Sequence, residues 1–267
     1  MTNSAPQSLQ NVYAGERMPC FDLLTAGIET GWLPQIPAGL SGELPSRIPK
    51  RLIQYWHSKN IPEEVQKNIE SFKHFNPDFS HHIIDDEEAR AFIHAHYGQD
   101  AAALYDACFH AAMRSDFWRI CDLYQNGGVY VDVDTLAHGP IAKVGAGAEF
   151  SCLLTYSIGE PWCIDNDFFM TEARHPVMHA ILGGLFENVD RFVKTKRFEN
   201  IWVETGPGVT TIKTAGWLAQ KAIDDGLSPK ETGVIFRHHH ALGEAFYHAD
   251  MQYKNSVEGN WRIAKPS

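Results

Sequence analysis

Two aspartates, Asp132 and Asp134, stand two residues apart at the end of an apolar run, Val129-Tyr130-Val131, which itself follows Gly127-Gly128. Residues two apart on an extended chain point to the same side, so the two carboxylates share a face where the backbone leaves a strand. Like charges held that close repel, and a hard divalent cation with oxygen ligands relieves the repulsion. A bare D-x-D says little, since about one arises by chance in a chain of this length. A second copy, Asp165-Asn166-Asp167, lacks the preceding turn and strand and reads as a capping or turn pair. Upstream, Asp116 and Arg119 sit at i and i+3 on one face of a helix that runs into the Gly-Gly turn. Alone they would be a surface ion pair worth a few tenths of a kcal/mol. Ahead of the acidic pair they add a guanidinium to a cation site, a combination suited to neutralising charge on a diphosphate leaving group.

The elements that must position these residues follow from the pattern around them. Arg51-Leu52-Ile53-Gln54-Tyr55-Trp56 reads as a buried strand, and Pro62 opens a helix to about Phe75. After the Asn76-Pro77-Asp78 turn, His81 to Ile84 is a short strand, and Asp85 leads a helix through His96 with acidic residues in its first turn. A long helix is expected from Asp100 to Tyr124, ended by Asn126-Gly127-Gly128, then a strand over Val129 to Val131 and another from Glu149 to Thr155. Two more helices follow Pro176 and Gly206-Pro207. Strands alternating with helices predict an α/β sheet with ligands at the carboxyl ends of its strands. The stretch before Lys50 is proline-rich, with one plausible helix around Cys20 to Thr30, and reads as an arm over the core.

Composition narrows the possibilities. The 267 residues, 44% hydrophobic, suffice for one sizeable core without requiring a second. A formal charge of −10 argues against a nucleic-acid partner, and a small anion would need a local cation. Five cysteines without a C-x-x-C pair point to reduced thiols rather than a disulfide framework or zinc knuckle. No long apolar run or basic-then-apolar leader is present, so the expectation is no transmembrane segment and a cytoplasmic location.

The string from Arg114 to Asp134, with its S-D-x-x-R and G-G-x-Y-x-D-x-D patterns, closely resembles the DXD sugar-binding segment of glycosyltransferase family 32. That family includes yeast initiating mannosyltransferases and bacterial polysaccharide enzymes, and its segment is similar to that of large clostridial glucosylating toxins. Weaker resemblance extends over about 48–209, including Ile48-Pro49-Lys50 and Thr205-Gly206-Pro207. The resemblance implies a single GT-A type domain over 48–267, a Rossmann-like sheet flanked by helices, after a loop-rich N-terminal arm at 1–47. It implies a UDP- or GDP-sugar donor, a glycan, lipid-linked or other hydroxyl acceptor, Mn²⁺ or Mg²⁺, and retention at the anomeric carbon. In such enzymes the residues matching Asp116 and Arg119 hold the donor sugar, and Arg119 also reaches the diphosphate. Tyr130 matches a donor contact, Asp132 a ribose and metal-shell contact, and Asp134 a direct metal ligand. Trp56 matches the aromatic that stacks on the base, although a plain core aromatic is an equal reading.

Asn166 lies in a stretch similar to the family's sugar-pocket segment, with an Asx turn as the equal alternative. Where family members commonly end on a His or Ser near G-S-W, this chain has Asn255-Ser256-Val257-Glu258-Gly259-Asn260-Trp261, so Asn260 is the candidate third metal ligand. His238-His239-His240 cannot all face one ion in regular structure and reads as a solvated run. Gly206-Pro207-Gly208 opens a helix whose N–H groups could face an anion or an acceptor.

Two other readings compete. Val129 to Thr135 also looks like a strand feeding the nucleophilic Asp132 of a haloacid dehalogenase-type phosphatase, but Thr135 comes one residue early for that motif. A non-catalytic sugar-nucleotide-binding module would not need Asp116, Arg119, Asp132 and Asp134 together.

Overall fold

The computed structural model describes residues 7–37, 42–157, 163–256 and 259–266. The polar N-terminal residues before 7, and Val257-Glu258 of the C-terminal stretch, lie outside the described residues.

Helices α1 (Gln7–Tyr13) and α2 (Arg17–Glu29) precede β1 (Arg51–Tyr55), α3 (Glu63–Phe75), β2 (Ser80–Ile84), α4 (Asp86–Ala107), α5 (Ala111–Asn126), β3 (Gly128–Val131) and β4 (Thr135–Ala137). Then come β5 (Cys152–Tyr156), β6 (Ile164–Thr171), α6 (Pro176–Thr195), α7 (Ile201–Glu204), α8 (Pro207–Asp224), β7 (Val234–His238) and β8 (Phe246–His248).

The main sheet has the order β2-β1-β3-β6-β5-β7. β2, β1 and β3 run parallel, β6 is antiparallel to both its neighbours, and β5 and β7 are parallel, so β6 alone opposes the common direction. Side chains alternate faces. Ile53, Tyr130, Leu154 and Phe169 pack into one core layer, and Leu52, Val129, Leu153 and Phe168 into the layer opposite. The expected α/β sheet is present, with its helices on the flanks.

Several boundaries differ from the sequence expectation. The segment before β1 holds two helices rather than one, and Val12, Cys20 and Leu24 enter the core. The helix expected from 100 to 124 is two. The first part joins α4 across Gly98, whose φ of 86° breaks the regular backbone, and α5 starts afresh where the His110 Nδ1 accepts the Ala112 amide. No proline or glycine marks that second break, because an imidazole does the capping. Four of the five cysteines are buried and Cys163 is partly buried, and all five are free.

The turn before the acidic pair is tight for a measurable reason. Gly127 (φ 65°) and Gly128 (φ 108°) adopt backbone conformations that disfavour side chains, and a Cβ on Gly128 would lie 2.6 Å from the Arg51 carbonyl oxygen. The close approach is what lets β3 lie beside β1. Below it, Arg51 donates to both carboxylate oxygens of the buried Asp122, tying β1 to α5.

Gly128→Ala is expected to lower unfolding free energy by about 1–3 kcal/mol, read as a fall in denaturant midpoint at unchanged slope. Gly183→Ala, in the interior of α6 with open space around its Cβ, should be neutral or stabilising. Equal losses at both would show that the β1–β3 approach is not the constraint.

Candidate functional site

The strand directions gather the site. Trp56 follows β1 and Asp132 follows β3 at the same edge of the sheet, and because β6 runs the other way, its first residues, Ile164 to Asp167, begin there. The Asp132 amide donates to the Asp167 carbonyl at 2.9 Å. The small β4–β8 sheet pairs Thr135 with His248, which sets the His248 ring beside Asp134. A cavity of about 1060 Å³ opens at this edge, lined by Trp56, Asp116, Arg119, Asp132, Asp134 and Asn166 among others.

Arg119, 4% exposed, is the centre of the buried part. Its guanidinium lies 3.3 Å from Asp132 and 3.5 Å from Asp116, over the Tyr130 ring at 4.2 Å, and donates to the Ser115 carbonyl, the Ser115 hydroxyl and the Asn166 carbonyl. Those bonds take up most of its five N–H donors. Asp116 accepts from Asn166 Nδ2 at 3.0 Å and from the Thr205 hydroxyl at 3.1 Å. Burial lifts its carboxyl above the ordinary value, against the pull of Arg119, Asn166 and Thr205. Thus the i,i+3 pair is no surface pair: it is sealed between α5, β6 and the start of α8.

Asn166 is not an Asx turn. It sits within β6, 6% exposed, with its side-chain oxygen accepting from Thr210 at 2.8 Å while its amide holds Asp116. Tyr130 gives its hydroxyl hydrogen to Asp132 at 2.6 Å and so braces that carboxylate from below.

The two carboxylates of the D-x-D part company electrostatically. Burial pushes Asp132 up to about 6, aided by the neighbouring Asp134 and Asp167 and opposed by Arg119 and Tyr130. For Asp134, burial acts in the same direction but is overcome by His248 and Lys254, which hold it at about 2. Lys254 Nζ forms an ion pair with one Asp134 oxygen, and His248 Nδ1 lies 3.8 Å from the other. That second oxygen, Oδ1, is buried without a hydrogen-bond partner.

Asp165 and Asp167 are also more than a turn pair. Both are largely buried, and His239 Nδ1 lies 3.3 Å from Asp165 and 3.6 Å from Asp167. His248 Nε2 lies 3.0 Å from Asp167 Oδ2. The carboxylates of Asp134 and Asp167 beside it raise His248 to about 10, and that of Asp165 raises His239. Within the triple histidine, then, only the reading of the run as merely solvated needs correcting: His239 turns inward, while His238 caps the following turn. His248, Lys254 and Tyr253 were invisible as site residues in the sequence, because each is a lone residue with no motif around it.

Trp56 is 7% exposed, its indole N–H donates to the Asn60 carbonyl at 3.1 Å, and Tyr253 meets its ring edge-on at 5.1 Å. It borders the cavity and also belongs to a small core with Val133 and Met251. Asn260 borders the cavity as well, and its side-chain oxygen accepts the Arg262 amide at 3.2 Å.

The fold and this edge cluster resemble those of GT-A type glycosyltransferase domains, and comparison with known proteins points the same way. Residues 62–151 match the family described as "Glycosyltransferase sugar-binding region containing DXD motif". The resemblance read from the sequence is borne out over residues 62–151, the stretch that this family model matches. It is 30% identical over 99 residues to an initiation-specific alpha-1,6-mannosyltransferase of Candida albicans, covering 35% of this chain and 26% of that protein. It is 25% identical over 169 residues to inositol phosphoceramide mannosyltransferase 1 of Schizosaccharomyces pombe, covering 62% of this chain and 50% of that one. The matched stretches therefore span a quarter to a half of these relatives. The UDP-bound glycosyltransferase domain of the YGT toxin superposes with a TM-score of 0.50 at 10% identity, covering 82% of this chain and 87% of that domain, which speaks for the shared fold. Neither the phosphatase nor the non-catalytic reading is favoured by these matches.

Replacing Arg119 by Met should cost about 3–5 kcal/mol, because Asp116 and Asp132 would be left buried without their countercharge. Adding Asp116→Asn should recover about 0.5–3 kcal/mol of that loss. A thermodynamic cycle from denaturant unfolding measures the coupling, and simple additivity would show that the two side chains do not support each other.

Proposed function

We propose that the chain transfers a sugar from a UDP- or GDP-sugar to a hydroxyl of a glycan, a lipid or another acceptor, using Mn²⁺ or Mg²⁺, with retention at the anomeric carbon. The observation that carries this reading is the buried Asp116–Arg119–Asp132 assembly opening, with Asp134, onto one large cavity at the carboxyl edge of the sheet. The cation is supported by the unpartnered, buried Oδ1 of Asp134 and by an all-oxygen pair that suits a hard ion. When bound, such an ion supplies Lewis-acid neutralisation of the departing nucleoside diphosphate.

The chain's own residues divide the remaining work. Asp134 and Asp132 hold the ion, with Asn260 on the same cavity as a candidate further oxygen. Asp116 still has lone pairs beyond those given to Asn166 and Thr205, and a carboxylate in that position can accept from sugar hydroxyls. Arg119 has few donors to spare, so it acts on the diphosphate chiefly through its fixed positive charge in a water-poor setting. Trp56 offers its ring to the base at the cavity wall. The names of the curated relatives make mannose the first sugar to test.

A thermal-shift screen of UDP- and GDP-sugars with Mn²⁺ or Mg²⁺ should single out one donor, since a ligand at 100 times its dissociation constant adds about 2.7 kcal/mol. The same donor should be turned over, with activity abolished by excess EDTA. Asp134→Asn is expected to reduce turnover about 10²- to 10³-fold, the loss typical of removing one preorganised charge stabiliser, with partial rescue at high Mn²⁺. Asp116→Asn should impair sugar transfer while sparing binding of the bare nucleoside diphosphate with metal. Full activity in EDTA would remove the cation from the mechanism, and binding without any turnover would return the non-catalytic reading.

A further inference from the structure

The cavity has room for more than one ligand. At about 1060 Å³ it exceeds the roughly 300–1,000 Å³ usual for a single small-molecule site. Along the sheet edge, Trp56 follows β1, Asp132 follows β3 and Asn166 lies in β6. Next to Asn166 comes the end of α7, where the Thr205 hydroxyl donates to Asp116 and the Thr205 carbonyl accepts from Asn166. Trp202, on α7, therefore borders the cavity at its Asp116 end. A four-residue helix does not hold its shape alone. This one is pinned: the Asn200 side chain caps it, Asn188 Nδ2 holds the Val203 and Glu204 carbonyls, and Arg191 pairs with Glu204 at 2.6 Å. The Trp202 ring is stacked on Phe21 of α2, with centroids 5.7 Å apart and 19° between planes, and a Cβ on Gly208 would lie 2.8 Å from its Cε3. The ring stays partly exposed, and among the described residues its indole N–H makes no hydrogen bond.

We propose that Trp202 is the platform of an acceptor subsite and that the acceptor is a carbohydrate, one of whose sugar rings stacks on the indole while a hydroxyl takes the indole N–H. The assignment to the acceptor rests on the sugar-transfer reading. The C–H bonds on one face of a pyranose are apolar and electropositive, which suits the negative face of an aromatic ring. An indole held by Phe21, by Gly208 and by a pinned helix offers that face with little conformational entropy left to lose. The rest of the lining favours a sugar over an alkyl chain. Phe109 and Trp261 stand there among Ser256, Asn260 and Arg262. A lipid chain laid across them would take water from those polar groups without bonding them, whereas a sugar offers hydroxyls beside its apolar face. Phe21 belongs to the segment before β1, so that segment takes part in the subsite by backing its ring.

Ligand-observed saturation-transfer NMR on the full chain tests the subsite without donor, using the methyl pyranosides of mannose, glucose and galactose against n-octanol, an apolar hydroxyl. At least one pyranoside should bind and receive saturation from indole protons, and octanol should not displace it. Trp202→Phe, which keeps a ring, should still bind that pyranoside but lose the transfer from the indole. Trp202→Leu keeps apolar bulk against Phe21 and Gly208 without a ring face, and should weaken binding about 10-fold. With the donor that the thermal-shift screen selects, Trp202→Leu should raise the KM of the pyranoside acceptor and not that of the donor. No pyranoside binding, displacement by octanol, or full affinity in folded Trp202→Leu would overturn the proposal. If Trp202→Leu does not fold, the indole transfer decides, since its persistence in Trp202→Phe would place the sugar elsewhere. A chain that hydrolyses its donor yet binds no pyranoside would sink the subsite and leave the transferase reading. Pyranoside bound on Trp202 of a chain that turns over no nucleotide-sugar would do the reverse.

Discussion

Like charge crowded at one edge of a sheet is the constraint on which this structure depends. Asp116 and Asp134 are buried and Asp132, Asp165 and Asp167 partly so within one neighbourhood, and two unit charges 4 Å apart at an effective dielectric near 20 interact by about 4 kcal/mol. The protein answers with cations of different permanence. Arg119 is the fixed one, fully enclosed and unable to lose its proton, so it is committed to Asp116 and Asp132. Lys254, His239 and His248 answer Asp134, Asp165 and Asp167 from the more exposed side.

The topology makes this crowding possible. In a sheet of uniformly parallel strands, only residues following a strand would reach the carboxyl edge. Reversing β6 places the residues that begin a strand there instead, directly beside the exit of β3, and the Asp132 amide to Asp167 carbonyl bond locks the two acidic segments together. The same reversal carries Asn166 across to Asp116, so a single β6 tripeptide serves both the buried and the exposed halves of the site.

How much of this was legible depends on whether the chemistry lay in one stretch of chain. Asp116, Arg119, Asp132 and Asp134 are linked by a helix, a glycine turn and a strand with strong local signals, so both their elements and their convergence could be read. Asp167, His248 and Lys254 could not. They meet through an antiparallel strand and through a three-residue pairing of β4 with β8, and a strand that short has no periodicity to detect. Asp165-Asn166-Asp167 reads locally as a turn because three turn-forming polar residues stand in a row, and only the tertiary pairing of the residues on either side carries them into a strand. The break between α4 and α5 was hidden likewise, since His110 caps the new helix where no small residue or proline advertises a boundary.

The C-terminal segment has a particular place in this balance. Lys254 sits just beyond β8, its ammonium against an Asp134 oxygen, while Tyr253 braces Trp56 and its backbone amide bonds to Glu64. An ammonium and a dication cannot both occupy the same face of one carboxylate. Lys254 takes Oδ2 of Asp134 and leaves Oδ1, the oxygen without a hydrogen-bond partner, facing the cavity that both residues border. Tyr253 meets Trp56 edge-on one residue before Lys254, so one short segment supplies both part of the cavity wall and a charge facing into it.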